Sequence, residues 1–379
     1  MNNKYKSIFE SFTLPSGVKL KNRVLIAPMT NSSSLENGEV TQSELEYYSE
    51  RSNGVGAVIT ACAYVLPSGK GFINAVGADD DSLIPSLKKL ANTIQEQGAK
   101  AILQIFHAGR MALPNLIPDG QTVSASAVAP EREGAITPRE MTEEEIINTI
   151  TAFGEATRRA IEAGFDGVEI HGANTYLIQQ FFSPHSNRRN DNWGGSVEKR
   201  MNFPLAVIKA VKEAVSKYAK EPFIVGYRLS PEEKEDLGIT MEDTLKFVDV
   251  LAEQNLDYIH VSVNGFWDGS IRDNNDTKSR ILLIQDKVGT RVPVIGVGRL
   301  NTPEEVVKSL ESGVPLVALG HAIVMEPKWV EKVANDQESE IRYNLPKTDQ
   351  KELVIPDGMW NMLMNVTGWF PVVDGDSKN

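Results

Sequence analysis

Short apolar runs recur along the chain, and a segment with helical periodicity follows each of them. Eight such runs are predicted to be strands buried on both faces: 22–28, 55–61, 99–106, 165–170, 223–229, 256–263, 292–297 and 314–320. Most are continuously apolar rather than alternating, which is typical of a parallel sheet covered by helices. The pattern predicts an α/β fold, a (β/α)₈ TIM barrel in a single domain. It favours this fold over an open doubly wound sheet with a second domain.

Helix signals lie between these runs. Thr142 precedes Glu143, Glu144 and Glu145, so it is expected to cap a helix with an acidic first turn that runs to about Ala163. The other helices are expected from near Ser43, over 82–97, 197–218 and 241–254, around 281–288, over 302–313, and near 327–335.

Two segments depart from the repeat. The segment 111–141, after the third strand, carries four prolines and is expected to be a long loop. The tail after Asn335 is polar and then returns to apolar residues, among them Trp360 and Trp369. We expect the barrel over 1–335 and a C-terminal extension over 336–379, packed on the barrel or on a partner subunit.

Charge and cysteine content narrow the function. A net charge of −12 argues against a nucleic-acid partner or an anionic membrane surface. One cysteine, Cys62, excludes a disulfide framework and multi-cysteine metal sites. Neither a signal peptide nor a membrane-spanning apolar run is found, so we expect a cytoplasmic protein that acts on a small molecule.

In a barrel, chemistry is expected at the carboxyl ends of the strands. The residues there that can carry it are Thr30, Ala61, Cys62, Gln104, His107, His171, Asn174, Tyr176, Arg228, Asn264, Gly298, Arg299, Gly320 and His321. The glycine-rich ends of strands seven and eight suit an anion such as phosphate, although glycine also eases tight turns.

His171, Asn174 and Tyr176 follow the fourth strand within six residues. The first two offer hydrogen-bond donors for a carbonyl oxygen on which negative charge develops. Tyr176 can deliver a proton to the far end of the same substrate. The alternative is that His171 and Asn174 only satisfy buried loop backbone.

Two other barrel chemistries fit less well. His107, His171 and His260 lie near strand ends, but the first strand supplies no metal ligand, so no metal site is expected. A Schiff-base aldolase needs a lysine on a barrel strand, and none of the eight strand cores supplies one.

Several segments resemble the Old Yellow Enzyme family of FMN-dependent ene-reductases and NAD(P)H:flavin oxidoreductases. The matching segments are KNRVLIAPMT, QIFHAGR, AGFDGVEIHGANTYLIQQFFSP, SNRRNDNWGGSVEKR, PVIGVGRLNTPEEV and LVALGHAIVMEP. They cover nearly the whole barrel in family order, and the fourth-strand segment is highly specific.

The resemblance implies an FMN cofactor with NADH or NADPH as reductant. It implies a set of FMN-contacting residues: Pro28, Met29, Thr30, Ala61, Gln104, Arg228, Gly298, Arg299, Gly320 and His321. His171 and Asn174 are implied to hold the carbonyl oxygen of an unsaturated substrate, and Tyr176 to protonate its α-carbon. Trp267, in the loop after the sixth strand, is expected to form a wall of the substrate pocket, although an exposed loop aromatic could equally pack on its own loop.

This chain departs from the family pattern at three points. His321 stands where the family usually has arginine, and Arg299 follows strand seven instead. Thr30 stands where many bacterial members carry a cysteine, and the single cysteine rules out relatives with a four-iron cluster.

Three hypotheses remain at this stage. The first is an FMN-dependent reductase of activated C=C bonds. The second is a lyase or hydrolase for a phosphorylated substrate without flavin, and the third is a flavin-binding protein without catalysis. The physiological substrate stays open, and a homo-oligomer is possible.

Overall fold

The computed structural model describes residues 3–375. Its centre is a closed barrel of eight parallel strands in which each strand pairs with its neighbour in sequence and β8 pairs with β1. The strands are β1 (Val24–Ile26), β2 (Ala57–Ile59), β3 (Lys100–Phe106), β4 (Gly167–Gly172), β5 (Ile224–Leu229), β6 (Tyr258–Val261), β7 (Val294–Val297) and β8 (Leu316–Leu319). Seven lie within the predicted apolar runs and β4 extends two residues beyond its run, to Gly172, so the predicted barrel is confirmed.

A helix follows every strand. These helices are α1 (Gln42–Arg51), α2 (Ile84–Glu96), α3 (Glu143–Glu162), α4 (Asn202–Tyr218), α5 (Met241–Leu251), α6 (Arg280–Val288), α7 (Pro303–Glu311) and α8 (Trp329–Ala334). Thr142 caps α3 as predicted, in a reciprocal pair of hydrogen bonds with Glu145. None of the helices within residues 3–375 is both long and apolar enough to cross a membrane.

The predicted helix over 197–218 is interrupted. The structure has a short helix at Val197–Arg200, a turn at Met201, and then α4. Pro204 has no backbone N–H, so it cannot make the bond to the Arg200 carbonyl that a continuous helix would require. The proline therefore starts a new helix instead of continuing the first.

The amino-terminal end of the barrel is closed by a hairpin that pairs Phe12–Thr13 with Lys19–Leu20. Its apolar side chains join a buried cluster formed by the lower part of the barrel interior: Leu14, Val18, Leu20, Leu25, Ile59, Ile102, Ile224, Tyr258, Ile295 and Leu316. Asp257 fixes the hairpin because its carboxylate accepts from the backbone N–H of Ser16 at 2.8 Å. The opposite end stays open for a ligand.

The C-terminal tail lies against the barrel. Its helix Asp357–Asn365 contributes Met359 and Leu363 to the main hydrophobic core. Arg51, at the end of α1, is fully buried and donates to the Leu353 carbonyl. These contacts bring the following segment, with Trp369, to the open end of the barrel.

Candidate active site

The barrel interior changes from apolar to polar towards the carboxyl ends of its strands. Paired positions on neighbouring strands bring Gln104 beside Glu169, and Arg228 beside both His171 and His260. Paired residues of parallel strands point to the same face, so these side chains occupy two adjacent levels of the interior, with Glu169 one position below His171 and Arg228. A layer of charged and amide groups at this depth is the signature of a site, because each buried polar group needs a partner.

His171 is 3% exposed at the end of β4. Its Nδ1 accepts from the backbone N–H of Ala173 at 3.2 Å, so the proton of the neutral ring resides on Nε2. Burial, reinforced by the charge of Arg228, lowers the pKa of His171 well below its usual value. His171 is therefore a neutral hydrogen-bond donor at physiological pH.

We expect His171 to stay neutral as the pH falls through the ordinary histidine pKa of roughly 6.5. Burial penalises the imidazolium, so the ring gains a proton only at lower pH. Nitrogen NMR of histidine-labelled protein checks this, with His171→Gln to assign the signal. A titration centred near the ordinary pKa would contradict the assignment.

The turn after His171 is strained and braced. Asn174 and the β-branched Thr175 both adopt positive φ, at 55° and 65°, where non-glycine residues are uncommon. Gln179 Oε1 accepts from the Thr175 N–H at 3.0 Å, and Gln180 Nε2 donates to the Thr175 carbonyl at 2.7 Å. These bonds hold a backbone conformation that would otherwise relax.

The Asn174 side chain is oriented by two serines at neighbouring strand ends. Its Oδ1 accepts from Ser262 Oγ at 2.8 Å and from Ser230 Oγ at 3.4 Å, and its backbone N–H donates to Ser230 at 2.9 Å. Because Oδ1 is engaged, the Nδ2 amide remains as the donor. Asn174 and His171 thus each retain one side-chain N–H donor for a ligand.

Tyr176 packs beside this pair. Its ring centroid lies 4.9 Å from that of His171 and 5.2 Å from that of Phe106, both edge-on, and 6.1 Å from Phe72. Burial raises the pKa of Tyr176 above its usual value, so the phenol keeps its proton. The structure therefore brings the three predicted residues His171, Asn174 and Tyr176 together.

A cavity of about 540 Å³ begins at Arg228 and extends over the ends of β7, β8 and β1. Its lining includes Arg228, Asn264, Leu300 and eight further residues that come mainly from strand ends: Pro28, Met29, Gly298, Arg299, Asn301, Gly320, His321 and Trp369. This volume lies within the ~300–1,000 Å³ typical of cofactor and ligand pockets. The predicted phosphate-end residues thus share one cavity with Arg228.

The two cations of the cavity differ in their pairing. Arg228 is 8% exposed, and its Nε has no hydrogen-bond partner within residues 3–375. Arg299 has a positive φ of 47° and is two-thirds exposed, and its guanidinium is paired with Asp268. Arg228 is therefore a buried guanidinium with an N–H group that is available to a ligand.

Glycine at 298 is required by geometry. Gly298 has a φ of 119°, and a Cβ there would lie 2.8 Å from the backbone of Gly265.

His321 packs against Phe370 with ring centroids 4.1 Å apart, and burial lowers the pKa of His321. His321 is consequently a neutral donor and does not replace the charge of an arginine.

The other predicted flavin contacts, Thr30, Ala61 and Gln104, already have partners within the protein. Thr30 Oγ1 lies 4.0 Å from Cys62 Sγ at the ends of β1 and β2. The backbone N–H of Ala61 donates to the Tyr48 hydroxyl at 2.7 Å. Because this N–H is already engaged, Ala61 can offer a bound ligand only van der Waals contact from its side chain. Gln104 donates from Nε2 to Glu169 at 2.7 Å, so its Oε1 is the amide end available to a ligand.

Trp267 is not among the residues that the structure brings together. Its ring packs 4.8 Å from that of Phe266, and the Lys308 ammonium of α7 lies 4.7 Å above it.

Sequence reasoning also missed Ser230, Ser262 and Glu169. Both serines directly follow the last residue of a strand, and Glu169 is an acidic residue within an apolar strand. Both features can be recognised in the sequence and indicate a functional position. Among residues 3–375, no three His, Cys, Asp or Glu side chains cluster as metal ligands.

Cys62 is buried beside Thr30, and burial raises the pKa of its thiol to about 12. We therefore expect the native protein to resist a thiol reagent such as DTNB at about pH 8 and to react with one equivalent after unfolding. Rapid labelling of the native protein would contradict this assignment.

Comparisons with known proteins agree with this architecture. The NADH:flavin oxidoreductase / NADH oxidase family matches residues 7–340. A probable NADH-dependent flavin oxidoreductase of Bacillus subtilis (strain 168), YqiG, is 48% identical over 99% of this chain and 100% of its own length. The NADH:acrylate oxidoreductase of Vibrio harveyi is 46% identical over 94% of this chain, which spans 36% of that larger protein.

Among solved structures, morphinone reductase in complex with tetrahydroNAD superposes with a TM-score of 0.73 at 27% identity, over 87% of this chain and 91% of that one. The closed barrel, the His171–Asn174–Tyr176 constellation and the extent of these matches lead to one conclusion. The chain belongs to the NADH:flavin oxidoreductase / NADH oxidase family and is an oxidoreductase of the Old Yellow Enzyme type.

Proposed function

We propose that this protein binds FMN and uses NADH to reduce the C=C bond of α,β-unsaturated carbonyl compounds. The observation that carries the proposal is the buried Arg228, whose Nε has no partner within the described chain and which lies beside His171. A buried cation needs an electron-rich partner, and the pyrimidine edge of a flavin supplies one.

The residues present fit FMN. Arg228 and the free Oε1 of Gln104 offer a donor and an acceptor for the N1–C2=O and N3–H edge. At the other end of the cavity, Gly298 and Gly320 leave backbone accessible, and Arg299 and His321 can donate to a phosphate. The arrangement matches the two ends of the cofactor.

Bound FMN supplies the hydride that reduces the β-carbon of the substrate. His171 Nε2–H and Asn174 Nδ2–H hold the carbonyl oxygen and stabilise the negative charge that develops on it. Tyr176 keeps its proton until the α-carbon becomes basic and then donates it. The strained turn is already in place, so the donors need no rearrangement.

The names of the relatives support NADH as reductant and small unsaturated acids as substrates. Relatives at 46% and 44% identity are NADH:acrylate and NADH:fumarate oxidoreductases. The neutral His171 and Asn174 donors suit a carbonyl or a carboxylate oxygen alike. We therefore include unsaturated carboxylates beside enones and enals in the proposed substrate class.

The test is anaerobic NADH oxidation by FMN-loaded protein with cyclohexenone, acrylate or fumarate as acceptor, with the saturated product identified by mass. We expect turnover that requires both FMN and an unsaturated acceptor. The double variant His171→Ala/Asn174→Ala should retain FMN and lose acceptor reduction. Equal turnover by this variant would contradict the assigned site, and a protein that binds no FMN would reopen the hypothesis of a phosphorylated substrate.

A further inference from the structure

An acidic side chain lies inside the barrel beneath the proposed flavin site. Glu169 of β4 is 0% exposed and stands level with Gly226 of β5, one interior position below Arg228. Glu169 and Arg228 project from the same face of the sheet, because they stand at paired positions two residues apart, and the Tyr258 ring fills the space over Gly226. The sequence did not predict a role for Glu169, and the proposed mechanism does not assign it one.

Glu169 is held by two donors. Gln104 Nε2 donates to Oε1 at 2.7 Å, and His260 Nδ1, also fully buried, lies 2.9 Å from Oε2. His260 Nε2 has no hydrogen-bond partner within residues 3–375. An imidazole that gives its only proton to Glu169 and leaves Nε2 as a bare acceptor is neutral.

The charge therefore resides on Glu169. Burial acts to raise its pKa, but His260 and Arg228 hold the pKa of this carboxyl below its usual value. Burial lowers the pKa of His260, which keeps the imidazole uncharged. The polar layer thus contains the carboxylate of Glu169 and the guanidinium of Arg228, with neutral Gln104 and His260 around them.

These two charges act on a flavin in opposite directions. Uptake of a hydride adds two electrons and one proton, so the flavin gains one negative charge near N1 and C2=O. Arg228 stabilises that charge, and a nearby carboxylate in a water-poor interior destabilises it. The carboxylate also offsets part of the field of Arg228, since Glu169 is the strongest charged neighbour of that guanidinium.

We propose that Glu169 is a positioning and electrostatic residue that lowers the reduction potential of the bound flavin. Its negative charge opposes flavin reduction, and its bond to Gln104 directs the amide oxygen towards the cofactor. A lower potential makes the reduced flavin a stronger donor towards weakly activated C=C bonds. This inference rests on the proposed FMN function.

The test is the variant Glu169→Gln, measured as the midpoint potential of the FMN-loaded protein by anaerobic spectral titration against a reference dye. The amide keeps the shape and can keep both contacts, because His260 can move its proton to Nε2 and accept at Nδ1. We expect the equilibrium to shift at least about tenfold towards reduced flavin, a rise of about 30 mV for a two-electron couple.

Three controls separate charge from packing. Glu169→Met removes the charge without an amide and should raise the potential in the same direction, which keeps the test decisive if one variant folds poorly. His260→Asn keeps a donor for the carboxylate and should leave the potential near that of the wild type. Glu233→Gln removes another buried carboxylate, one that accepts from Gln179, and should also leave it unchanged.

The outcomes are distinguishable. An unchanged or lower potential in both Glu169→Gln and Glu169→Met would overturn this inference while leaving the FMN function in place. A shift in Glu169→Met alone would assign the effect to hydrogen bonding and overturn the role of charge. A wild-type protein that holds no FMN would overturn the proposed function and this inference together.

Discussion

Replacing Tyr176 with Phe is expected to slow acceptor reduction by about 10²–10⁴-fold, the usual contribution of a positioned general acid. The phenol is the proton source in the proposed mechanism, and its raised pKa keeps that proton available. Flavin reduction by NADH needs no proton from Tyr176, so that half-reaction should stay close to the wild-type rate. Anaerobic stopped-flow measurement of the two half-reactions checks the prediction.

The matched control for Tyr176 is Tyr227→Phe, which removes the hydroxyl of a tyrosine that is 1% exposed on β5. It should alter neither half-reaction by more than a few fold. Equal slowing of both half-reactions in Tyr176→Phe would contradict a role as proton donor and point to a general distortion of the site.

Replacing Asn174 with Asp is expected to lower kcat/KM for acceptor reduction by about 10²–10³-fold, the cost of removing one donor from an oxyanion site. Aspartate preserves the shape and tolerates the left-handed backbone of this turn, whose φ is 55°. The change replaces the N–H donor with an anion that faces the developing charge. Steady-state kinetics with cyclohexenone at several acceptor concentrations measures the effect.

Asn255→Asp is the control, because Asn255 also has a positive φ, of 50°, but precedes β6 at the closed end of the barrel. It should leave kinetics unchanged. An Asn174→Asp enzyme with wild-type kcat/KM would remove Asn174 from the substrate-binding pair.

The barrel was predictable because its strands are continuous apolar runs, which only a sheet covered on both faces accommodates. The same logic placed His171, Asn174, Tyr176 and Arg228 at one face, since barrel strand ends converge there. The break between the helices at Met201 could also have been predicted from Pro204. It was not predicted because the apolar residues on both sides of it follow one helical periodicity.

Other features depend on contacts between distant segments. Trp369 reaches the cavity only because the tail packs its apolar residues against the barrel, and periodicity carries no information about that docking. Trp267 was expected at the pocket, and its ring packs on Phe266 of its own loop with the Lys308 ammonium above it, contacts that the sequence pattern does not predict. Ser230 and Ser262 orient Asn174 across three strand ends, a relation visible only after the strands are arranged.

The visible absorption spectrum of the purified protein tests the proposed FMN-dependent activity most directly. The spectrum is recorded anaerobically before NADH is added, after NADH is added, and again after cyclohexenone is added. The proposed function predicts a yellow protein that bleaches with NADH and regains its colour with the enone. A yellow protein that never bleaches would indicate flavin binding without catalysis. A protein that stays colourless after FMN is added would contradict the account of Arg228 and the cavity.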